Sequence, residues 1–185
     1  LCRDWSSDVC SSDLDALRPA TLIWMSLLGL LSLYLLIRRP PWFVLDWVNL
    51  PIHEAGHAVF GFFGEFIQFL GGTLMQLAIP VLVAVCFWRE RKMAGTQFGL
   101  FWLGESCLNI SIYVADARAL QLELIGGEHD WHYLLSRVGL LNQDRLIAAI
   151  FVVVAGLAFA TAVLWPFLVR FGETPDPAVD RKSVV

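Results

Sequence analysis

A series of apolar segments long enough to cross a lipid bilayer constrains the fold of this chain. Residues 21–37 carry no charged side chain, and apolar segments with few charged side chains cover residues 49–70, 73–88, 97–117 and 145–169. Gly71 and Gly72, between the second and third segments, are expected to form a turn. Roughly 20 apolar residues in a helix span the hydrocarbon core. Backbone polar groups in lipid have to be satisfied within the segment, so each segment is expected to be helical. The sequence predicts an all-α, polytopic membrane helix bundle with about five transmembrane helices.

Composition supports an integral membrane protein and excludes several other classes. Hydrophobic residues make up 57% of the chain and charged residues 16%, and the mean hydropathy is +0.64. This is far from the balance of a soluble domain. No basic stripe or aromatic platform indicates nucleic acid. The four cysteines form no CxxC pair, so a cysteine-based zinc site is not indicated. The lipid bilayer is the expected partner, and the oligomeric state stays open.

The two ends of the chain differ from its middle. Residues 1–14 are rich in Ser and Asp without periodicity, and we expect them to be a non-native tail. Residues 15–171 form one expected membrane domain. Residues 172–185 are rich in Pro and Asp and are expected to be a disordered tail, with an end that resembles the same kind of non-native sequence.

The most informative motif is His-Glu-Ala-Gly-His at residues 53–57, which lies within an apolar segment. On a helix, His53 and His57 are one turn apart on the same face and can bind one Zn²⁺ ion. Glu54 is then placed to act as a general base toward water at the metal. The alternative is a pair of histidines that hydrogen-bond to neighbouring helices, since polar groups inside a membrane need partners.

Further polar residues follow the same helix face. Asp46, Asn49, His53 and His57 are spaced by three, four and four positions. A polar stripe of this kind points into a helix bundle or a water-filled cavity. The sequence therefore predicts that the histidines face other helices rather than lipid.

A third metal ligand has to come from another segment, and the span at 97–117 offers two. Glu105, Asn109, Ile112 and Asp116 share one helix face, and acidic side chains in an apolar helix are costly unless a cation meets them. Asp116 could instead pair with Arg118 or with loop backbone near the membrane surface. Glu105 could instead be protonated or paired within the bundle.

The loop after this span contains a rival set of ligands: His129, Asp130 and His132. Gly126 and Gly127 permit a sharp turn that could fold His129 and Asp130 back over the metal. The alternative is that Asp130 caps a short helix, expected near residues 131–138, while the histidines of this loop are solvated.

With these residues, the chain resembles the site-2 protease family of intramembrane zinc metalloproteases. The matching positions are His53, Glu54 and His57, followed by Asn109 and Asp116. The proline of the family's second motif is absent, and alanines flank Asp116. The resemblance implies a zinc site held by both histidines and Asp116. A second resemblance, to metallopeptidases whose third ligand is the glutamate of an ExxxD helix, matches Glu105 and Asn109.

The predicted function is a zinc-dependent membrane metallopeptidase that hydrolyses peptide bonds of membrane or membrane-proximal substrates. Glu54 is the expected base, Asn109 is expected to orient a ligand or the substrate carbonyl, and Asp116 is the preferred third ligand. The alternatives are a non-catalytic zinc-binding regulatory protein and a transporter whose polar stripes line a pathway. The expected location is a bacterial inner membrane, as a multi-pass protein.

Overall fold

The computed structural model describes residues 19–122 and 128–172. In chain order the helices are α1 (Pro19–Arg38), α2 (Asp46–Phe60), α3 (Glu65–Arg89), α4 (Met93–Ala115), α5 (Asp130–Arg137) and α6 (Asp144–Gly172). Single 3₁₀ turns, Gly61–Phe63 and Leu141–Gln143, precede α3 and α6. The predicted non-native segment 1–14 and the predicted tail beyond residue 172 lie outside the described residues.

Four of the helices have the length and the hydropathy of membrane spans, which confirms the all-α membrane bundle. They are α1, α3, α4 and the segment Leu141–Val169, with mean hydropathies of 2.1, 2.0, 1.3 and 2.7. The chain is therefore a multi-pass membrane protein. The helix that carries the histidine motif, α2, has only 15 residues and is not among these four, so the described residues contain four long spans rather than five.

Helix α4 occupies the centre of the bundle and has the lowest hydropathy of the four spans. It packs against α3, α6 and α1. Its apolar side chains meet those of α1 and α6 in a core formed by Leu28, Leu35, Phe101, Cys107, Leu108, Ala155, Phe159 and Ala162. Because α4 is enclosed by protein, it can carry polar side chains that a lipid-facing helix could not.

The expected turn at Gly71 and Gly72 is wrong, because both glycines lie inside α3. A Cβ atom at Gly71 would come within 2.7 Å of the carbonyl oxygen of Gly56 on α2, and a Cβ at Gly56 would collide with the carbonyl of Gly71. Small residues let two membrane helices approach backbone to backbone. The glycines therefore bring α2 and α3 together rather than reversing the chain.

The reversal between α2 and α3 lies seven residues earlier than Gly71, at Gly64. Gly64 has φ of 96°, a left-handed conformation that glycine adopts without the steric cost of a side chain. The residues before it form the 3₁₀ turn, in which the Phe62 side chain is 92% exposed. Helix α2 thus ends soon after its second histidine, and α3 returns along it.

The predicted short helix near residues 131–138 is present as α5. Its Trp131, Leu134 and Leu135 side chains are buried against Ile110 and Val114 of α4. Full burial of a large apolar side chain contributes about 1.5–3 kcal/mol, so these contacts hold α5 against the end of the bundle. This docking fixes the position of the first residue of α5, Asp130.

Candidate metal centre

Two imidazole nitrogens and one carboxylate oxygen converge between α2 and α5. The Nε2 atom of His53 lies 2.9 Å from Oδ2 of Asp130, and the Nε2 atom of His57 lies 3.2 Å from the same oxygen. The two rings are 4.8 Å apart and nearly perpendicular. These side chains are 8–20% exposed, so the cluster is largely screened from bulk solvent. Among the described residues, this is the group of His, Cys, Asp or Glu side chains that could hold a metal ion.

The other nitrogen of each histidine contacts an oxygen. Nδ1 of His57 lies 2.8 Å from the backbone carbonyl oxygen of Gln68, which can only accept a hydrogen bond. Nδ1 of His53 lies 3.1 Å from Oε1 of Gln76. Each Nδ1 therefore carries a proton and donates it to α3. This arrangement directs both Nε2 atoms toward Asp130 and is how metal-binding histidines are commonly oriented.

The geometry requires a positive charge at the centre. An ionised carboxylate only accepts hydrogen bonds, and a neutral histidine with its proton on Nδ1 presents a lone pair at Nε2. Without a metal, a proton on His57 meets this need. Hydrogen bonding to Asp130 raises the pKa of His57 to about 9, although burial acts to lower it. Burial acts to raise the pKa of Asp130, but the hydrogen bonds from the two histidines outweigh it and lower that pKa.

The three donor atoms fit a zinc ion in type and in spacing. Zinc–nitrogen and zinc–oxygen bonds of roughly 2.0–2.1 Å in a tetrahedron place ligand atoms about 3.3 Å apart. The two contacts to Asp130, at 2.9 and 3.2 Å, are close to this separation, and all three donor atoms lie within 4.8 Å of one another. Two histidines and one carboxylate are a common ligand set of catalytic zinc sites, with a fourth position left for water.

Asp130 is held in place through its backbone and its neighbour. The backbone N–H of Asp130 donates to the hydroxyl oxygen of Tyr113 over 3.1 Å. His129 stacks on the Tyr113 ring at 4.2 Å, and its Nδ1 accepts the backbone N–H of His132 and thereby caps α5. The His132 imidazole donates to the carbonyl of Ala117. The start of α5 is thus tied to the end of α4.

A cavity of about 600 Å³ opens beside the three donor atoms. Glu54 lies in its wall together with His53, His57 and Asp130, and the Glu54 side chain is exposed. A cavity of this size can admit water and a segment of polypeptide. A carboxylate next to the donor atoms is where a base for an incoming water would have to lie.

Asp116, the preferred third ligand from the sequence, lies apart from the histidine pair. Its carboxylate accepts the backbone N–H groups of Gln121 and Leu122 at 3.0 Å. Its nearest imidazole is that of His129, at 3.6 Å. The structure therefore brings Asp130 to the pair, and Asp116 stabilises the loop that follows α4.

Glu105 and Asn109 are also engaged away from the donor atoms. Glu105 is 3% exposed and accepts a hydrogen bond of 2.8 Å from Asn49. Asn109 donates to Asp46 and accepts from Gln76, at 2.8 and 3.0 Å. Both residues belong to a buried polar network, and Asn109 reaches the histidines only through Gln76. The other two residues of the rival set do not face the histidine pair: His129 lies 3.6 Å from Asp116, and His132 donates to the carbonyl of Ala117.

Sequence reasoning missed three residues that shape the site. Gln76 is the only side-chain amide between Phe69 and Trp88 of α3, and that isolation was a usable signal. Tyr113 was hidden among the apolar residues of α4. The Gln68 contact uses a backbone carbonyl, for which a sequence offers no signal.

Comparison with known proteins does not identify a relative. No protein-family model, no curated protein sequence and no solved structure matches this chain.

Proposed function

We propose that this protein is a zinc-dependent membrane metallopeptidase whose metal is held by His53, His57 and Asp130. The observation that carries the proposal is the convergence of two oriented imidazole nitrogens on one carboxylate oxygen, at 2.9 and 3.2 Å. Asp130 takes the place for which Asp116 was the first expectation. The spacing of the donor atoms fits zinc as well as their chemical type does.

Glu54 supplies the base that distinguishes a hydrolase from a simple metal-binding site. A bound zinc ion would acidify a water molecule and polarise the scissile carbonyl. The Glu54 carboxylate lies in the wall of the same cavity, where it accepts the proton of the attacking water and returns it to the leaving amine. The contacts of Asn109 support a structural role in the hydrogen-bond network rather than contact with substrate.

The cavity indicates the kind of substrate. Its wall includes residues from α2, α3 and α4 of the bundle and also Leu122 and Glu128 of the loop at the end of α4. A cavity that reaches from the bundle to a loop suits an extended polypeptide segment at or near the membrane surface. The proposed substrates are membrane proteins or membrane-proximal peptides, with the bacterial inner membrane as the expected compartment.

The test is a metal analysis combined with a peptidase assay on purified protein in nanodiscs. Wild-type protein is expected to hold one zinc per chain and to cleave members of a quenched-fluorescence peptide library. Glu54→Gln should keep the zinc and lose at least 100-fold in activity, since general acid–base catalysis typically contributes 10²–10⁴-fold. His57→Ala should lose both zinc and activity.

Glu65→Gln is the matched control. Glu65 lines the same cavity but hydrogen-bonds to Tyr133 and Arg137 at the rim. It should therefore keep both zinc and activity. A Glu54→Gln protein with wild-type activity would overturn the assignment of the base, and wild-type protein without zinc would overturn the metal centre.

A further inference from the structure

A pair of carboxyl groups without a basic partner is buried behind the metal centre. Asp46 on α2 and Glu105 on α4 are 4% and 3% exposed, and their side chains hydrogen-bond to each other. A hydrogen bond between two carboxyl groups requires a proton on one of them. Among the described residues no Lys or Arg side chain forms an ion pair with either group.

The contacts of Asp46 show which group is the ionised one. One oxygen of Asp46 accepts the backbone N–H of Phe43 at 2.6 Å, and the other accepts Nδ2 of Asn109 at 2.8 Å. A carboxylate that receives donors on both oxygens is stabilised in its charged form. The shared proton therefore belongs to Glu105, and Asp46 acts only as an acceptor.

A directed chain of hydrogen bonds runs from Asp46 to the first histidine. Because Asn109 turns its NH₂ group to Asp46, its oxygen faces outward and accepts Nε2 of Gln76 at 3.0 Å. The oxygen of Gln76 then faces Nδ1 of His53 at 3.1 Å. Each side-chain amide donates at one end and accepts at the other, so the orientation of one amide determines that of the next.

We propose that Asp46 is a positioning residue for the metal centre. Through Asn109 and Gln76 it keeps an oxygen against Nδ1 of His53, which holds the proton on Nδ1 and leaves the Nε2 lone pair free for the metal. This inference rests on the proposed zinc site. It assigns to a remote buried carboxylate the role that a directly bonded carboxylate or carbonyl has at other metal-binding histidines.

Reversing the direction of these hydrogen bonds would block metal binding at His53. If residue 46 were a donor, Asn109 could turn its oxygen to residue 46 and its NH₂ group to Gln76. Gln76 would then present its NH₂ group to His53, whose Nδ1 would have to accept. The proton of a neutral His53 would move to Nε2, where the zinc ion has to bind.

Two isosteric variants distinguish an effect of hydrogen-bond direction from an effect of simply having polar groups buried at these positions. Asp46→Asn allows reversal and should weaken zinc binding about 10- to 100-fold, the range for loss of a residue that orients a ligand. Glu105→Gln is the matched control in the same buried pair. Its NH₂ group still donates to Asp46, and its oxygen still accepts from Asn49, so zinc affinity should stay within threefold of wild type. Affinity is measured by competition with a chromophoric chelator.

A double variant should restore part of the zinc affinity that Asp46→Asn loses. In Asp46→Asn combined with Gln76→Glu, the reversed Asn109 donates to the new carboxylate at position 76. That carboxylate also accepts Nδ1–H of His53, so the correct tautomer returns. The double variant should bind zinc at least fivefold more tightly than Asp46→Asn alone. Equal losses for Asp46→Asn and Glu105→Gln, or no rescue, would overturn the positioning role.

The tautomer of His53 can be determined in the metal-free protein. Nitrogen-15 NMR of the four histidines should show a protonated Nδ1 on His53 in wild-type protein and an unprotonated Nδ1 in Asp46→Asn. If that change is seen but wild-type protein binds no zinc, the chain of hydrogen bonds stands and the proposed function fails. If zinc binds normally to both proteins and Nδ1 does not change, the positioning role fails and the proposed function stands.

Discussion

A Cβ atom at Gly72 would lie 2.5 Å from the Nε2 atom of His53. Real Cβ contacts are not this short, so the glycine on α3 leaves the space that the donor nitrogen of His53 occupies. Gly71 and Gly72 together bring α3 close enough to α2 for the Gln68 carbonyl to contact the second histidine, His57. The close packing of α2 on α3 therefore also determines where the side chains of the two histidines lie.

Gly72→Ala is therefore expected to displace His53 and to weaken zinc binding at least tenfold, by loss of ligand alignment. The measurement is zinc affinity by chelator competition. Gly156→Ala on α6 is the control, because a Cβ there meets no atom within 4 Å. Unchanged affinity in Gly72→Ala would show that the imidazole has another position from which to bind the metal.

Replacement of Asp130 and Asp116 should separate their roles. Asp130→Ala removes the carboxylate that faces both histidines and should reduce zinc to less than a tenth of the wild-type content. Asp116→Ala should keep the zinc but lower thermal stability, because two backbone N–H groups of the following loop lose their acceptor. Zinc is measured by inductively coupled plasma mass spectrometry. Loss of zinc in Asp116→Ala with retention in Asp130→Ala would reverse the assignment.

Tyr113→Phe is expected to weaken zinc binding several-fold while the fold is kept. The variant removes the hydroxyl oxygen that accepts the backbone N–H of Asp130, so the third ligand is held less firmly. Tyr133→Phe is the matched control, because that hydroxyl donates to the exposed Glu65 carboxylate at the rim. Titration with Co²⁺, followed by its visible absorption, reports affinity and ligand geometry together. An equal effect of the two variants would contradict a role for Tyr113 in placing Asp130.

Metal removal should lower thermal stability. A ligand that binds only the folded state at 100 times its Kd adds about 2.7 kcal/mol, and here the ion would join α2 to α5. Addition of a strong chelator is expected to lower the apparent Tm of wild-type protein in nanodiscs. The His57→Ala variant should show no such shift. A chelator effect of equal size in both proteins would indicate that the metal acts elsewhere.

Much of the bundle and half of the site could be predicted from the sequence. Apolar length predicted the long helices, and helical spacing placed Asp46, Asn49 and His53 on one face, where they now contact other helices. Both predictions depend only on the spacing of residues within one segment, and this spacing can be read directly from the sequence. The predicted turn at Gly71 and Gly72 was wrong because a glycine pair that bends a chain and one that admits a neighbouring helix look alike in sequence.

The carboxylate that faces the histidines could not be ranked first for a related reason. Asp116 shares a helix face with Glu105 and therefore has a periodic signal, whereas Asp130 follows a loop. The position of Asp130 depends on contacts between segments, namely its bond to Tyr113 and the bond between His132 and Ala117. Neither contact has a spacing that a sequence reveals.

The separation of Asp130 from His53 by 77 positions also has a consequence for the order of biosynthesis. When the ribosome has delivered only α2 and α3, the nascent chain has both imidazoles and Glu54 but lacks the carboxylate that faces them. The site becomes complete only after α4 has inserted and α5 has docked at its end. The candidate metal centre therefore assembles only once the chain beyond α4 has been synthesised.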